Sequence, residues 1–265
     1  MFVANPDGSN ERFLLESAAG PSWSFDKRYL AFFGEAGITS QTRNGVMYRL
    51  EGLSDGIISL DMTTWKADPT RSKLVQYVRD GAARWAAYSP NGRMIAFDAR
   101  RGGPDWHIYI VNLSDKQEVG SIPGEQADWS PDSRRLVYRS GRNNQQGIWI
   151  SNRDDSNPFA ITKEGSDSFP RWSFGAGEIA FHRDSGDNVD VYVMTLEDGN
   201  IRRLTDAAGI DTLPAWTPDG RIVFRSTRSG SWGIYIMNAD GSGQTEIIPN
   251  ADPGPDWAFG RMDVW

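Results

Sequence analysis

ADWSPDSRRLVY, residues 127–138, sets an aromatic residue, a tight turn and the start of a β-rich run in a single phrase. The phrase returns as PSWSFDKRYLAF (21–32), AAYSPNGRMIAF (86–97), PRWSFGAGEIAF (170–181), PAWTPDGRIVFR (214–225) and, in shorter form, PDWAFGRMDVW (255–265). Its aromatic heads are Trp23, Tyr88, Trp129, Trp172, Trp216 and Trp257, spaced by 65, 41, 43, 44 and 41 residues. A period of about 40–45 residues with strand-like content marks a propeller blade, a unit that cannot bury its own faces and must stack on its neighbours.

Within each period, alternation and turn residues mark four strands. The first ends at the aromatic, a Ser-Pro-Asp-Gly-like turn follows, and the second runs, for example, over 93–98 or 221–225. Third strands begin near Met1, Ile57, His107, Gly147, Asp190 and Gly233, and fourth strands near Arg12, Lys73, Glu118, Pro158, Ile201 and Thr245. The expected fold is all-β: one domain over 1–265, a six-bladed β-propeller of four-stranded antiparallel blades starting near the six aromatic heads. The chain opens on a third strand and stops on a second, 261–265. The last blade is therefore expected to be closed by two N-terminal and two C-terminal strands, which hides two sheet edges and brings the termini together. One connection breaks the pattern. An insertion at about 35–56 joins the second and third strands of the first blade, and a connection of that length is usually functional or disordered.

Composition narrows the function. A net charge of −7, with no block of like sign, offers no basic stripe for nucleic acid. The absence of cysteine excludes disulfides, thiol nucleophiles and thiolate metal sites. The N-terminal stretch MFVANPDGSNERF lacks the basic and apolar regions of a signal peptide, and no run approaches the length of a membrane span. No direct membrane insertion is expected, and any targeting segment lies outside these residues. No G-x-S-x-G elbow, H-E-x-x-H pair or phosphate loop is present, so no cofactor and no catalytic residue is assigned.

The run Trp-Ser-Pro-Asp-Gly-Arg, then Ile-Tyr-x-Met-Asn, then Arg-Leu-Thr resembles the propeller repeat of the TolB-like family; residues 215–224, 234–238 and 202–205 carry it most closely. The resemblance is to the propeller part only, since the α/β domain that precedes it in TolB proper has no match in these residues. It implies a bacterial, periplasmic or extracellular binding protein, a monomeric propeller that can be part of a larger chain.

A residue that recurs in every blade answers a need common to all blades, so the repeated aromatic is assigned to packing. Function is sought where the repeats disagree: on the face bearing the insertion, the turns between second and third strands, and the links into each first strand. Candidate binding residues at the channel mouth there are Arg84, Glu125, Asp128, Asp167, Arg171, Asp211, Asp252, Asp256, Trp106, Trp232 and Tyr48. Asp167, Asp211 and Asp252 each precede their Trp by five residues, a shared position that also suits turn capping. Asp184, Asp187 and Asp190 are spaced as a calcium loop could be, without the full ligand ladder. The expected function is non-enzymatic recognition of a protein or peptide at the channel mouth. The alternatives are a polysaccharide lyase- or hydrolase-like propeller enzyme using His107 or His182, and the sensor or spacer ectodomain of a larger membrane-anchored protein.

Overall fold

The letters of the repeated phrase act first as turn chemistry. The Ser130 hydroxyl donates to Asp132 at 2.6 Å and accepts from the Arg135 amide at 2.9 Å, pinning the reversal between two strands. Ser24 with Asp26, Ser89 with Asn91 and Thr217 with Asp219 repeat the device.

The computed structural model describes residues 1–5, 7–15, 18–34, 39–41, 47–49, 55–63, 74–80, 82–251 and 262–264. In chain order the strands are β1 (Phe2–Val3), β2 (Arg12–Phe13), β3 (Ala18–Trp23), β4 (Tyr29–Gly34), β5 (Thr39–Gln41), β6 (Met47–Arg49), β7 (Gly56–Asp61) and β8 (Leu74–Gln76). There follow β9 (Arg84–Tyr88), β10 (Met94–Ala99), β11 (His107–Asn112), β12 (Glu118–Pro123), β13 (Glu125–Trp129), β14 (Arg135–Ser140), β15 (Gly147–Asn152) and β16 (Phe159–Ala160). The last are β17 (Asp167–Trp172), β18 (Glu178–Asp184), β19 (Val189–Thr195), β20 (Ile201–Arg203), β21 (Asp211–Trp216), β22 (Ile222–Ser226), β23 (Gly233–Met237) and β24 (Thr245–Ile248).

These form five four-stranded antiparallel meanders: β3-β4-β7-β8, β9 to β12, β13 to β16, β17 to β20 and β21 to β24. First strands abut in sequence, β3 on β9, β9 on β13, β13 on β17 and β17 on β21, as blades packed around an axis. The core lies between blades. Ala87, Ala96 and Ile110 of the second blade pack with Trp129, Leu136 and Trp149 of the third. The repeated tryptophans bridge them: Trp129 donates its indole N–H to the Ala87 carbonyl at 3.0 Å, and Trp216 to the Arg171 carbonyl at 3.1 Å. Both are almost wholly buried, which fits the packing role given to the repeated aromatic.

The six-bladed expectation is corrected by this topology. Among the described residues five blades have four strands; β1 and β2 form a two-stranded sheet, and the described C-terminal residues, Met262–Val264, lie in no strand. Trp257 and Arg261 lie outside the described residues. Among the described residues β1 pairs with β2 in a sheet of two, and alternation marks segments that can be strands without showing which of them pair. Beside blade one, Met1 and Val3 pack on Leu30, Phe32 and Trp23, while Met262 packs on Leu213 and Val223 of blade five. The insertion contains a hairpin of its own, β5 paired with β6.

Candidate functional site

Every first strand carries a bulge at one repeat position. The ladder skips between Ala19 and Ser22, Glu125 and Asp128, Ser168 and Arg171, and Thr212 and Ala215, and opposite Ala96 and Asp98 in the second blade. In each case the residue three before the aromatic is left-handed: Gly20 (φ 60°), Trp85 (46°), Gln126 (61°), Phe169 (53°) and Leu213 (52°). A bulge with a left-handed residue re-aims side chains, and non-glycine residues there carry strain that the surrounding structure must hold. The bulge is common to all five blades and belongs to the architecture. The side chains it presents in blades two to five, Trp85, Gln126, Phe169 and Leu213, all differ, and Gly20 in blade one presents none.

Those side chains converge at the axis. Trp85 of blade two and Phe169 of blade four, which are not neighbouring blades, meet edge to face with ring centroids 6.1 Å apart. The Gln126 Oε1 accepts from the Phe169 amide at 2.8 Å. Trp85, Gln126, Phe169, Pro170, Arg171, Leu213, Pro214 and Met262 surround a cavity of about 20 Å³, which has room for about one water molecule. The residues around it therefore pack closely, and this cavity is far below the size of a small-molecule pocket.

Arg171 is the charge at this surface. Its side chain is 11% exposed and pairs with Asp263 at 2.5 Å, with Asp128 further off at 3.7 Å. Burial works to lower the guanidinium pKa, and the carboxylates of Asp128 and Asp263 more than offset it, leaving the value raised. Asp128 accepts from the Trp172 amide at 2.9 Å. Asp263 accepts from the Trp23 amide at 2.7 Å, and Ser22 from the Tyr88 amide at 3.1 Å. The amide of the aromatic head is thus capped by the side chain of a neighbouring segment at three points around the axis.

On blade two the turn between second and third strands brings an aromatic and two cations together. The Arg100 guanidinium lies 4.5 Å from the Trp106 ring centroid and that of Arg84 5.8 Å, while Trp85 packs against the same ring at 5.8 Å. Arg100 is exposed, and Trp106 and Arg84 are half-buried. A stack of this kind offers a flat cationic and aromatic contact for a partner chain.

The remaining candidates are held in structural pairs. Asp167 is fully buried and accepts two bonds from Arg183, at 2.6 and 2.9 Å. Asp211 accepts from Arg228 at 2.7 Å, and Glu125 from Arg139 at 2.6 Å. Arg183 lies over Phe181 and Tyr192, and Arg228 over Phe224 and Tyr235, so that each arginine caps an aromatic pair and neutralises an acid together. Trp232 is half-buried before β23, and its carbonyl accepts from the Ala251 amide at 2.7 Å. Tyr48 falls on β6; Asp252 and Asp256 lie outside the described residues. Asp190 turns inward to Arg203 at 2.7 Å, while Asp184 and Asp187 stay exposed; among the described residues no cluster of acids or histidines is arranged to hold a metal. His182 is buried between blades four and five, against the Phe169 ring and the Thr212 hydroxyl, and burial pushes its pKa down to about 4. His107 begins β11, with its ring 6.3 Å from that of Tyr109.

Sequence reasoning missed Trp85, Gln126, Phe169 and Leu213, although the signal was present. They share the position three before the aromatic, where the residues read Gly, Trp, Gln, Phe and Leu from blade to blade. Looking for disagreement at that position would have found them. Asp263 had no such signal, because the expected counterpart of Asp128 in the sixth phrase was Asp256.

Residues 126–252 match the family model of the TolB beta propeller domain. The Tol-Pal system protein TolB of Bordetella pertussis is 35% identical over 116 residues, 43% of this chain and 26% of that protein. The Protein TolB homolog of Chlorobium luteolum is 31% identical over 117 residues, 44% of this chain and again 26% of that protein. The matched stretch thus spans about a quarter of the length of these relatives. Among solved structures, TolB from Acinetobacter baumannii superposes with a TM-score of 0.71 at 20% identity, covering 92% of this chain and 58% of that one. That likeness shows the fold. The repeats are of the TolB type, as the resemblance implied.

Proposed function

We propose that this propeller is a non-enzymatic binding platform that recognises a protein or peptide segment at the channel mouth, on the face bearing the 35–56 insertion. The observation that carries the reading is the set of bulges: one backbone device in five blades, which in blades two to five presents Trp85, Gln126, Phe169 and Leu213 toward a common centre. A packed mouth flanked by the Arg84–Trp106–Arg100 stack suits an extended chain better than a small molecule. The relatives are named for the Tol-Pal system, so a component of that system is the first class of partner to test, with the periplasm as the compartment. An enzyme reading would need a histidine able to take and return a proton beside a channel arginine. His182, held neutral between blades, is not placed for that.

The test is binding of the purified chain to purified Tol-Pal components, with Arg84→Ala and Trp106→Ala introduced together. Both side chains are only half-buried, so the variant is expected to melt as the parent does while its affinity falls by roughly tenfold or more. Unchanged affinity in a folded variant would mean that the working surface lies elsewhere.

A further inference from the structure

Met262 and Asp263 sit in the mouth as a ligand would. The methionine packs on Leu213, Ala215 and Val223 at the edge of the cavity, and the carboxylate bridges the Arg171 guanidinium and the Trp23 amide. Resting on the channel-mouth reading above, we propose that Leu213, Arg171 and the Trp23 N–H form a receptor for an apolar residue followed by a carboxylate. In this chain Met262 and Asp263 fill it, and a partner segment of the same chemistry displaces them.

Three observations lead there. Arg171 is buried enough to require a close counter-charge; Asp128 stands 3.7 Å away and is bonded to the Trp172 amide, so the close pair is with Asp263. Replacing one carboxylate by another keeps that charge balanced, whereas an uncharged substitute would leave a buried cation undercompensated. Secondly, the Trp23 amide is capped from a segment in no strand, whereas the Tyr88 and Trp172 amides are capped by Ser22 and Asp128, which ladder bonds hold in β3 and β13. Among the described residues Met262–Val264 lie in no strand, and Asp263 meets Arg171 and Trp23 through its side chain. Finally, the apolar part of the occupant is a methionine, a flexible side chain that fits loosely shaped apolar sites, beside a cavity of about 20 Å³. An occupant on the same chain competes at a high effective concentration, so a partner must match both of its features.

The experiment uses a labelled hexapeptide of this chain's own residues 260–265, Gly-Arg-Met-Asp-Val-Trp, titrated by fluorescence anisotropy into the full chain and its Asp263→Asn and Met262→Ala variants. Weak binding to the parent and roughly tenfold or more tighter binding to both variants is expected, because each loosens the internal competitor. The same peptide carrying Asn for its Asp should bind all three poorly. Equal binding to parent and variants, no binding to any, or binding indifferent to the peptide carboxylate would overturn the proposal. If Asp263→Asn does not give a cooperative melt, Met262→Ala decides. Should the peptide fail while Arg84→Ala with Trp106→Ala still abolishes partner binding, the channel-mouth reading stands and only this inference falls.

Discussion

The carboxylate of Asp263 accepts a hydrogen bond from the backbone N–H of Trp23 at 2.7 Å, joining residues 240 positions apart in the chain. The same carboxylate pairs with Arg171 across the axis, so one side chain ties the C-terminal segment to blades one and four. Replacing it by Asn keeps an acceptor for Trp23 and removes the counter-charge of a buried guanidinium. Asp263→Asn is expected to lose roughly 3 kcal/mol of stability. Urea unfolding of the two proteins measures this; a midpoint unchanged by the substitution would show that Asp128 alone suffices for Arg171.

Asp167 and Arg183 make a stronger case of the same kind, because the acid is fully buried and the arginine also covers the Phe181 and Tyr192 rings. Arg183→Met leaves an unpaired buried carboxylate and should cost about 3–5 kcal/mol. Adding Asp167→Asn should recover most of that loss. A double-mutant cycle by chemical denaturation checks the coupling, and simple additivity of the two costs would rule it out.

Gly147 opens the third strand of its blade with φ 150°, and a Cβ there would stand 2.5 Å from the Thr162 carbonyl oxygen. Gly92 is also left-handed, at φ 68°, but a Cβ there would meet nothing within 4 Å. Gly92→Ala should cost about 1 kcal/mol, the backbone term alone. Gly147→Ala must also move the backbone at Thr162, just past the fourth strand, so it should cost several-fold more, read as the difference in thermal midpoint between the two variants.

His182 links stability to pH. Its folded-state pKa is near 4, below the unfolded value of about 6.5, so the unfolded chain takes up the proton first as pH falls. The contribution is complete above about pH 6.5 and is lost progressively toward pH 4. Between pH 7 and pH 5 the loss should be about 2 kcal/mol. His182→Gln should flatten that part of the stability profile, measured by denaturant unfolding at the two pH values; an unaltered slope would assign the dependence to other groups.

The blade repeat was legible because it is written locally: an aromatic head, a hydroxyl and an acid that pin a turn, and alternating strands on either side, as at Trp129, Ser130 and Asp132. The buried pairs were half legible. Asp167 and Asp211 stood out by position, but their partners Arg183 and Arg228 lie on the next strand or just beyond it, and only strand pairing brings them within reach. The number of complete blades was misread because alternation marks segments that can be strands without showing which of them pair, as with β1 and β2, which form a sheet of two.

By itself the sequence determined the all-β repeat architecture and the packing role of the repeated tryptophans. Tertiary structure alone decided what fills the axis. Trp85, Gln126, Phe169 and Leu213 reach it through bulges whose left-handed backbone is set by the strands around them, and Asp263 reaches it from the far end of the chain. Local propensity encodes turns and alternation over a few residues. The meeting of side chains from four blades depends on how those blades pack on one another, which no short stretch of sequence contains.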